Sequence, residues 1–90
     1  MNYEKRKPMG CEQLTGLTAA VPTAPPTGAR GAIITCSGQP VRWRDDGVAP
    51  SATVGVYLAI GTILDYQGNL HALQFFQTAA TAVVDISYYE

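Results

Sequence analysis

Charge is scarce in this chain. Of its 90 residues only 14% are Asp, Glu, Lys or Arg, while 47% are hydrophobic. Free-standing soluble domains usually carry about 25% charged residues, so part of this exterior is expected to lie under a partner. Alanine, threonine and glycine swell the apolar count without making a greasy surface, which tempers that expectation. The net charge is −1, and no lysine follows Lys7. From Arg30 onward the cations are Arg30, Arg42 and Arg44, against Asp45, Asp46, Asp65, Asp85 and Glu90. A mildly acidic body offers no basic groove to a phosphate backbone, so no nucleic-acid partner is expected. The basic run Lys5-Arg6-Lys7 reads as a solvated patch.

Histidine and cysteine are scarce as well. His71 is the single histidine, and Cys11 and Cys36 stand apart without C-x-x-C spacing. A zinc site needs about four ligands, and calcium needs about six to eight oxygens from a compact loop, so no metal is expected. The cysteines are expected as free thiols, with a disulfide between them left open. No G-x-S-x-G elbow surrounds Ser37, Ser51 or Ser87, and no glycine pattern makes a phosphate cradle. No catalytic residue and no cofactor are therefore expected. No apolar run approaches the ~20 residues of a membrane span. The basic start has no apolar stretch behind it, unlike a secretory signal. No membrane partner is expected.

What the chain does have is turn chemistry between short β-rich runs. Its length suits one domain, and its composition changes near residue 30. Before that point Pro22, Pro25 and Pro26 remove backbone donors and favour an extended path. Residues 1–29 are expected as an extended Pro-rich N-terminal arm, either a tail or a staple lying on a neighbouring subunit. Leu14, Leu17 and Val21 are its candidate anchors, and the arm is expected to serve assembly and to be dispensable for folding. Residues 30–90 are expected as the folded domain. Strand-like runs cover 31–37, 40–44, 52–59, 62–66, 70–77 and 82–89, separated by Gly, Asp and Asn turn signals. Strands at ~8–12-residue spacing indicate an all-β fold, a small antiparallel β-sandwich or jelly-roll-like barrel of about six to seven strands.

Two patterns bear on function. In "VRWRDDG", residues 41–47, the alternation places Val41 and Trp43 on one face and Arg42 and Arg44 on the other. Asp45 and Asp46 are candidates for an acid–base pair by composition, but neighbours on a strand point to opposite sides. Asp-Asp-Gly reads more simply as a turn, with an aspartate capping it and glycine at positive φ. Trp43 is expected between the sheets, and the arginines against a neighbour. Phe75 and Phe76 likewise face opposite sides, as do Tyr88 and Tyr89. Strands that are apolar on both faces are usually covered on both, so a homo-oligomer is expected, with Phe76 and Tyr89 at its interface.

Residues 41–90 also resemble a group of small virion proteins of tailed bacteriophages. In that group a V-R-[WY]-R-D-D-G-x-x-P-[ST] stretch precedes a G-x-x-L segment, a G-[DN]-L turn, an aromatic strand and a closing [IV]-S-Y-Y. The counterparts here are residues 41–51, 55–58, 68–70, Phe75-Phe76 and 86–89. The resemblance implies a non-enzymatic structural component of the virion, assembled in the host cytoplasm. Its foremost form is a capsid decoration or cement protein, with the major capsid protein or another virion protein as partner. A head–tail connector, a tail component and a host-glycan-binding module are the alternatives. The resemblance carries no catalytic residue.

Overall fold

The computed structural model describes residues 7–90. The basic run noted above therefore lies outside the described residues except for Lys7. Eight strands follow in chain order: β1 Pro8–Leu14, β2 Val21–Pro22, β3 Gly31–Ser37, β4 Val41–Arg44, β5 Val56–Leu58, β6 Leu64–Tyr66, β7 Gln74–Gln77 and β8 Val83–Tyr89. A short 3-10 turn, Leu70–Ala72, precedes β7. The strands form two four-stranded antiparallel sheets, ordered β1-β8-β3-β6 and β2-β7-β4-β5. The architecture is the expected small β-sandwich.

The side chains of β8 show how the core is made. Val84, Ile86 and Tyr88 are buried, while Asp85 is exposed and Ser87 and Tyr89 are half-buried. That period of two sends one set toward the opposite sheet and the other outward. On β3, Ala32, Ile34 and Cys36 face the same interior, and Phe75 of β7 and Val41 of β4 meet them from the second sheet with no exposed surface. The outer row of β8 is thus Val83, Asp85, Ser87 and Tyr89, a mixture of polar and apolar side chains.

The two sheets are stacked so that β1 and β2 share one side and β5 and β6 the other. On the first side Glu12 of β1 accepts hydrogen bonds from the Ala24 amide at 3.0 Å and the Tyr88 hydroxyl at 2.6 Å. On the second, Trp43 of β4 meets Tyr66 of β6 edge-to-face, with ring centroids 5.7 Å apart.

The N-terminal segment runs extended, as its prolines require, but it lies on its own chain. β1 pairs with β8 along its length, and β2 pairs with β7. Leu14 and Leu17, expected as anchors on a neighbour, sit in this chain's own core, and Leu17 has no exposed surface. Val21 packs half-buried against the same core. The Thr23 hydroxyl donates to the Leu70 carbonyl at 2.6 Å, and the Gln77 amide donates to the Leu17 carbonyl at 3.0 Å. The physical reason is size. A domain of this length buries only ~60–65% of its unfolded surface, and residues 30–90 alone leave β8 and β7 without edge partners. Residue 29 is consequently not a boundary between an arm and an independent domain.

Two strand expectations are also revised. Instead of a strand over 52–59, only Val56–Leu58 is extended. Ser51 closes a tight turn before it, its Oγ accepting from the Thr53 and Val54 amides at 3.3 and 3.0 Å. Residues 70–77 split into the 3-10 turn and β7, because the Asn69 side chain accepts from the His71 amide and starts a turn.

Thr81 lies before β8 at φ 73°, the one non-glycine at positive φ among the described residues. A β-branched residue in that region costs about 1–2 kcal/mol.

Three outcomes follow for stability. Leu17→Ala should lower unfolding free energy by about 3 kcal/mol, and deletion of residues 1–29 should abolish the cooperative thermal transition; a soluble, cooperatively melting 30–90 fragment would contradict this packing. Thr81→Gly should raise stability by about 1 kcal/mol, or about 4–8 °C in melting temperature, in calorimetry of the two proteins side by side.

Candidate interaction surface

The stretch after β4 is held by its own charged side chains. Alternation on β4 does send Arg42 and Arg44 to the outer face, opposite Val41 and Trp43. Arg42 reaches over the following loop, where its Nε donates to the Ala52 carbonyl at 3.2 Å and a terminal nitrogen donates to the Gly55 carbonyl at 3.0 Å. Its guanidinium carbon also lies 5.4 Å from the ring centre of Tyr57, a cation–π distance. Arg44 pairs with Asp46 through two hydrogen bonds. The Asp46 carboxyl is thereby lowered to about 2, first by the hydrogen bonds from Arg44. The Val48 amide adds a third donor to Asp46, at 3.3 Å.

Asp45 turns the other way. It accepts from the Tyr66 hydroxyl at 2.6 Å, across the sandwich from β6. The two carboxylates thus serve separate donors and share no substrate site. Gly47 follows at φ 82°, the positive value the Asp-Asp-Gly turn requires. Gly68 is glycine for another reason. A Cβ there would lie 2.4 Å from the Tyr66 hydroxyl oxygen, so the ring occupies the space a side chain would take.

Trp43 is half-buried at the margin of the core, not a plug at its centre. The centre belongs to Phe75, Leu17, Ile34, Leu73, Val41, Val84 and Tyr88. Trp43 stands on the strand next to the edge, where only Val56 of β5 flanks it on that side.

Of the seven residues expected at an interface, Arg42, Arg44 and Phe76 are brought together. Phe76, Arg42 and Tyr57 form one cross-strand row on the outer face of the β2-β7-β4-β5 sheet, with Arg44 and Gln74 in the next row. Tyr89 lies on the outer face of the opposite sheet, between Pro8 and Gly31. Leu14, Leu17 and Val21 are committed to the core. The donors of Arg42 and Arg44 described above are directed to their own loop.

The surface that sequence reasoning missed lies beside them. Among the described residues, Val48, Val54, Val56, Tyr57, Ile60 and Ile63 are the exposed large hydrophobic residues, from 48% exposed at Val54 to 69% at Ile63. All six fall within residues 48–63, a stretch without one Asp, Glu, Lys, Arg or His. That stretch runs from the end of β4 along the edge strand β5 to the start of β6. The signal was present as an uncharged run of that length. Composition makes 52–59 strand-like, but it does not say which side of a sheet is covered.

The outer face of the other sheet carries a shallow groove of about 470 Å³, lined chiefly by Cys11, Gln13, Ile33, Thr35, Asp85 and Ser87. Its polar groups answer one another: Gln13 donates to Asp85 at 2.9 Å, and the Cys11 thiol faces Ser87 at 3.8 Å. Both cysteines are free, Cys11 exposed and Cys36 buried. The Cys36 thiol donates to the Leu58 carbonyl at 3.4 Å, and burial pushes its pKa up. Among the described residues no three His, Cys, Asp or Glu side chains group as metal ligands, and no helix is long and apolar enough to cross a membrane. No protein-family model, curated protein or solved structure matches this chain.

The Tyr66 clasp has a pH signature. Burial, then the bond to Asp45, pushes the Tyr66 phenol up to about 12; burial, then the bond to Glu12, pushes Tyr88 up as well. A phenol whose folded pKa exceeds its unfolded value of about 10 contributes stability that is complete below pH 10. That contribution is lost as pH rises through the folded value. Ultraviolet titration should show two of the five tyrosines ionising late, with melting temperature falling above about pH 10. Tyr66→Phe should remove one late phenol and cost about 1–2 kcal/mol. Five tyrosines titrating together would refute the clasp.

Proposed function

We propose that this chain is a non-enzymatic structural protein of a bacteriophage virion, and that it serves as a capsid decoration or cement protein bound over capsomer joints. The observation that carries this reading is the uncharged stretch 48–63, which presents six large apolar side chains along one side of an otherwise well-packed sandwich. Monomeric soluble proteins seldom leave a large contiguous apolar patch open to water, and such patches mark contact surfaces.

The residues that carry the resemblance to virion proteins support the reading through the work they do. Val41 and Phe75 fill the core. Arg42 holds the Ala52 and Gly55 carbonyls, Arg44 holds Asp46, and Asp45 receives Tyr66. Ser51 closes the next turn. Each of these contacts shapes or fastens the connection that bears the apolar stretch, and none presents a nucleophile with a base. A frame of this kind suits a protein whose task is adhesion to a neighbouring protein surface.

Particle location tests the proposal. Labelling the protein in purified particles should place copies over the whole capsid shell, and particles lacking it should open at lower temperature than complete ones. Copies confined to one ring at a single vertex, or to the tail, would instead assign a connector or tail role, since closed rings are what head-to-tail interfaces generate.

A further inference from the structure

Four strands form the edges of the two sheets: β1 and β6 in one, β2 and β5 in the other. An open edge presents unpaired N–H and C=O groups to any passing strand, and proteins guard such edges with charge, proline and bulges. β1 carries Pro8, Glu12 and a register shift between Pro8 and Gly10. β2 ends in Pro22, with Pro25 and Pro26 close behind. β6 has Asp65 at its middle position. β5, Val56–Leu58, has none of these devices, and its flanks from residue 48 to residue 63 are equally uncharged.

The core is also open on this side. Val56 stands opposite Trp43 in the β4–β5 register, and it shares a strand face with buried Leu58. It therefore points toward the interior of the sandwich, yet it is 52% exposed because no strand lies beyond it.

We propose that β5 pairs antiparallel with β5 of a second copy of this chain about a two-fold axis at Tyr57, joining two four-stranded sheets into one. A two-fold interface sets the same patch against itself, so any charge in it would meet its like. The stretch 48–63 carries none. The register keeps side chains on their proper faces: Val56 lies opposite the second copy's Leu58, closing the interior, and Tyr57 lies opposite its own mate on the outer face, as an aromatic cross-strand pair. Six side chains about half exposed leave on the order of 500 Å² of apolar surface per copy, the scale of a functional patch. Two such faces, covered in full, would bury on the order of 1,000 Å², the threshold for a specific interface. This self-pairing engages the same stretch 48–63 that carries the virion reading; particle location tests that reading and dimerisation in solution tests the pairing, so the two failures are distinguishable.

Sedimentation equilibrium of the full chain should show a dimer in the micromolar range. Tyr57→Lys and Tyr57→Glu should each give a folded monomer, with the thermal transition retained, and mixing the two should restore a dimer, because residue 57 meets its own counterpart only across a two-fold. Amide hydrogen exchange of residues 56–58 in the unaltered chain should slow as protein concentration rises, a readout that stands even if a variant fails to fold. A chain monomeric throughout that range, a dimer indifferent to both substitutions, an assembly larger than two that the mixture does not rebuild, or exchange independent of concentration would each overturn the pairing.

Discussion

The hydrogen bond from Tyr66 to Asp45 ties the two sheets together on the side where both have open edges. Tyr66 belongs to β6, and Asp45 immediately follows β4 of the opposite sheet. The phenol lies in the space that Gly68 leaves empty and packs edge-to-face with Trp43. With Asp45 fixed, the turn through Gly47 is set, and Asp46 is delivered to Arg44 on the outer face. The next connection is then fastened by Arg42 through the Ala52 and Gly55 carbonyls. Backbone carbonyls outside a sheet must find donors, and here a guanidinium supplies them. The apolar side chains of this segment are thus displayed on a braced support.

The opposite side is closed by different means. Glu12 gathers the Tyr88 hydroxyl from β8 and the Ala24 amide from the proline-rich segment, while Thr23 bonds to the Leu70 carbonyl. Leu17 crosses from one sheet to the other and fills the space between them. The asymmetry has a functional bearing. One side is sealed by the chain's own N-terminal segment with proline, a bulge and a carboxylate. The other is left with a short neutral strand and half-exposed valine, isoleucine and tyrosine.

Much of this was legible along the chain. The alternation of β4 and β8 and the Asp-Asp-Gly turn follow from local rules: side chains of a strand alternate, and a turn at positive φ selects glycine. The outward direction of Arg42, Arg44 and Phe76 follows equally. The candidate site was only half legible. Tyr57 joins the Arg42–Phe76 row through a pairing between β4 and β5 that no local pattern announces. The proline-rich segment was misjudged for a related reason: its few apolar residues cannot fold alone, but they suffice once β7 and β8 provide edges to lie on.

By itself, then, the sequence determined the strand character of the chain, its main turns and the face each strand residue takes, because these depend on bonds and sterics within a few residues. Only the tertiary structure decided which apolar groups are covered. Leu17, in a segment that resembles a tail, is fully buried, and Val56, in a run that resembles a core strand, is half open to water. Burial depends on what packs from distant parts of the chain, and the hydrophobic effect acts on the surface removed from water, a quantity that exists only once the sheets have met.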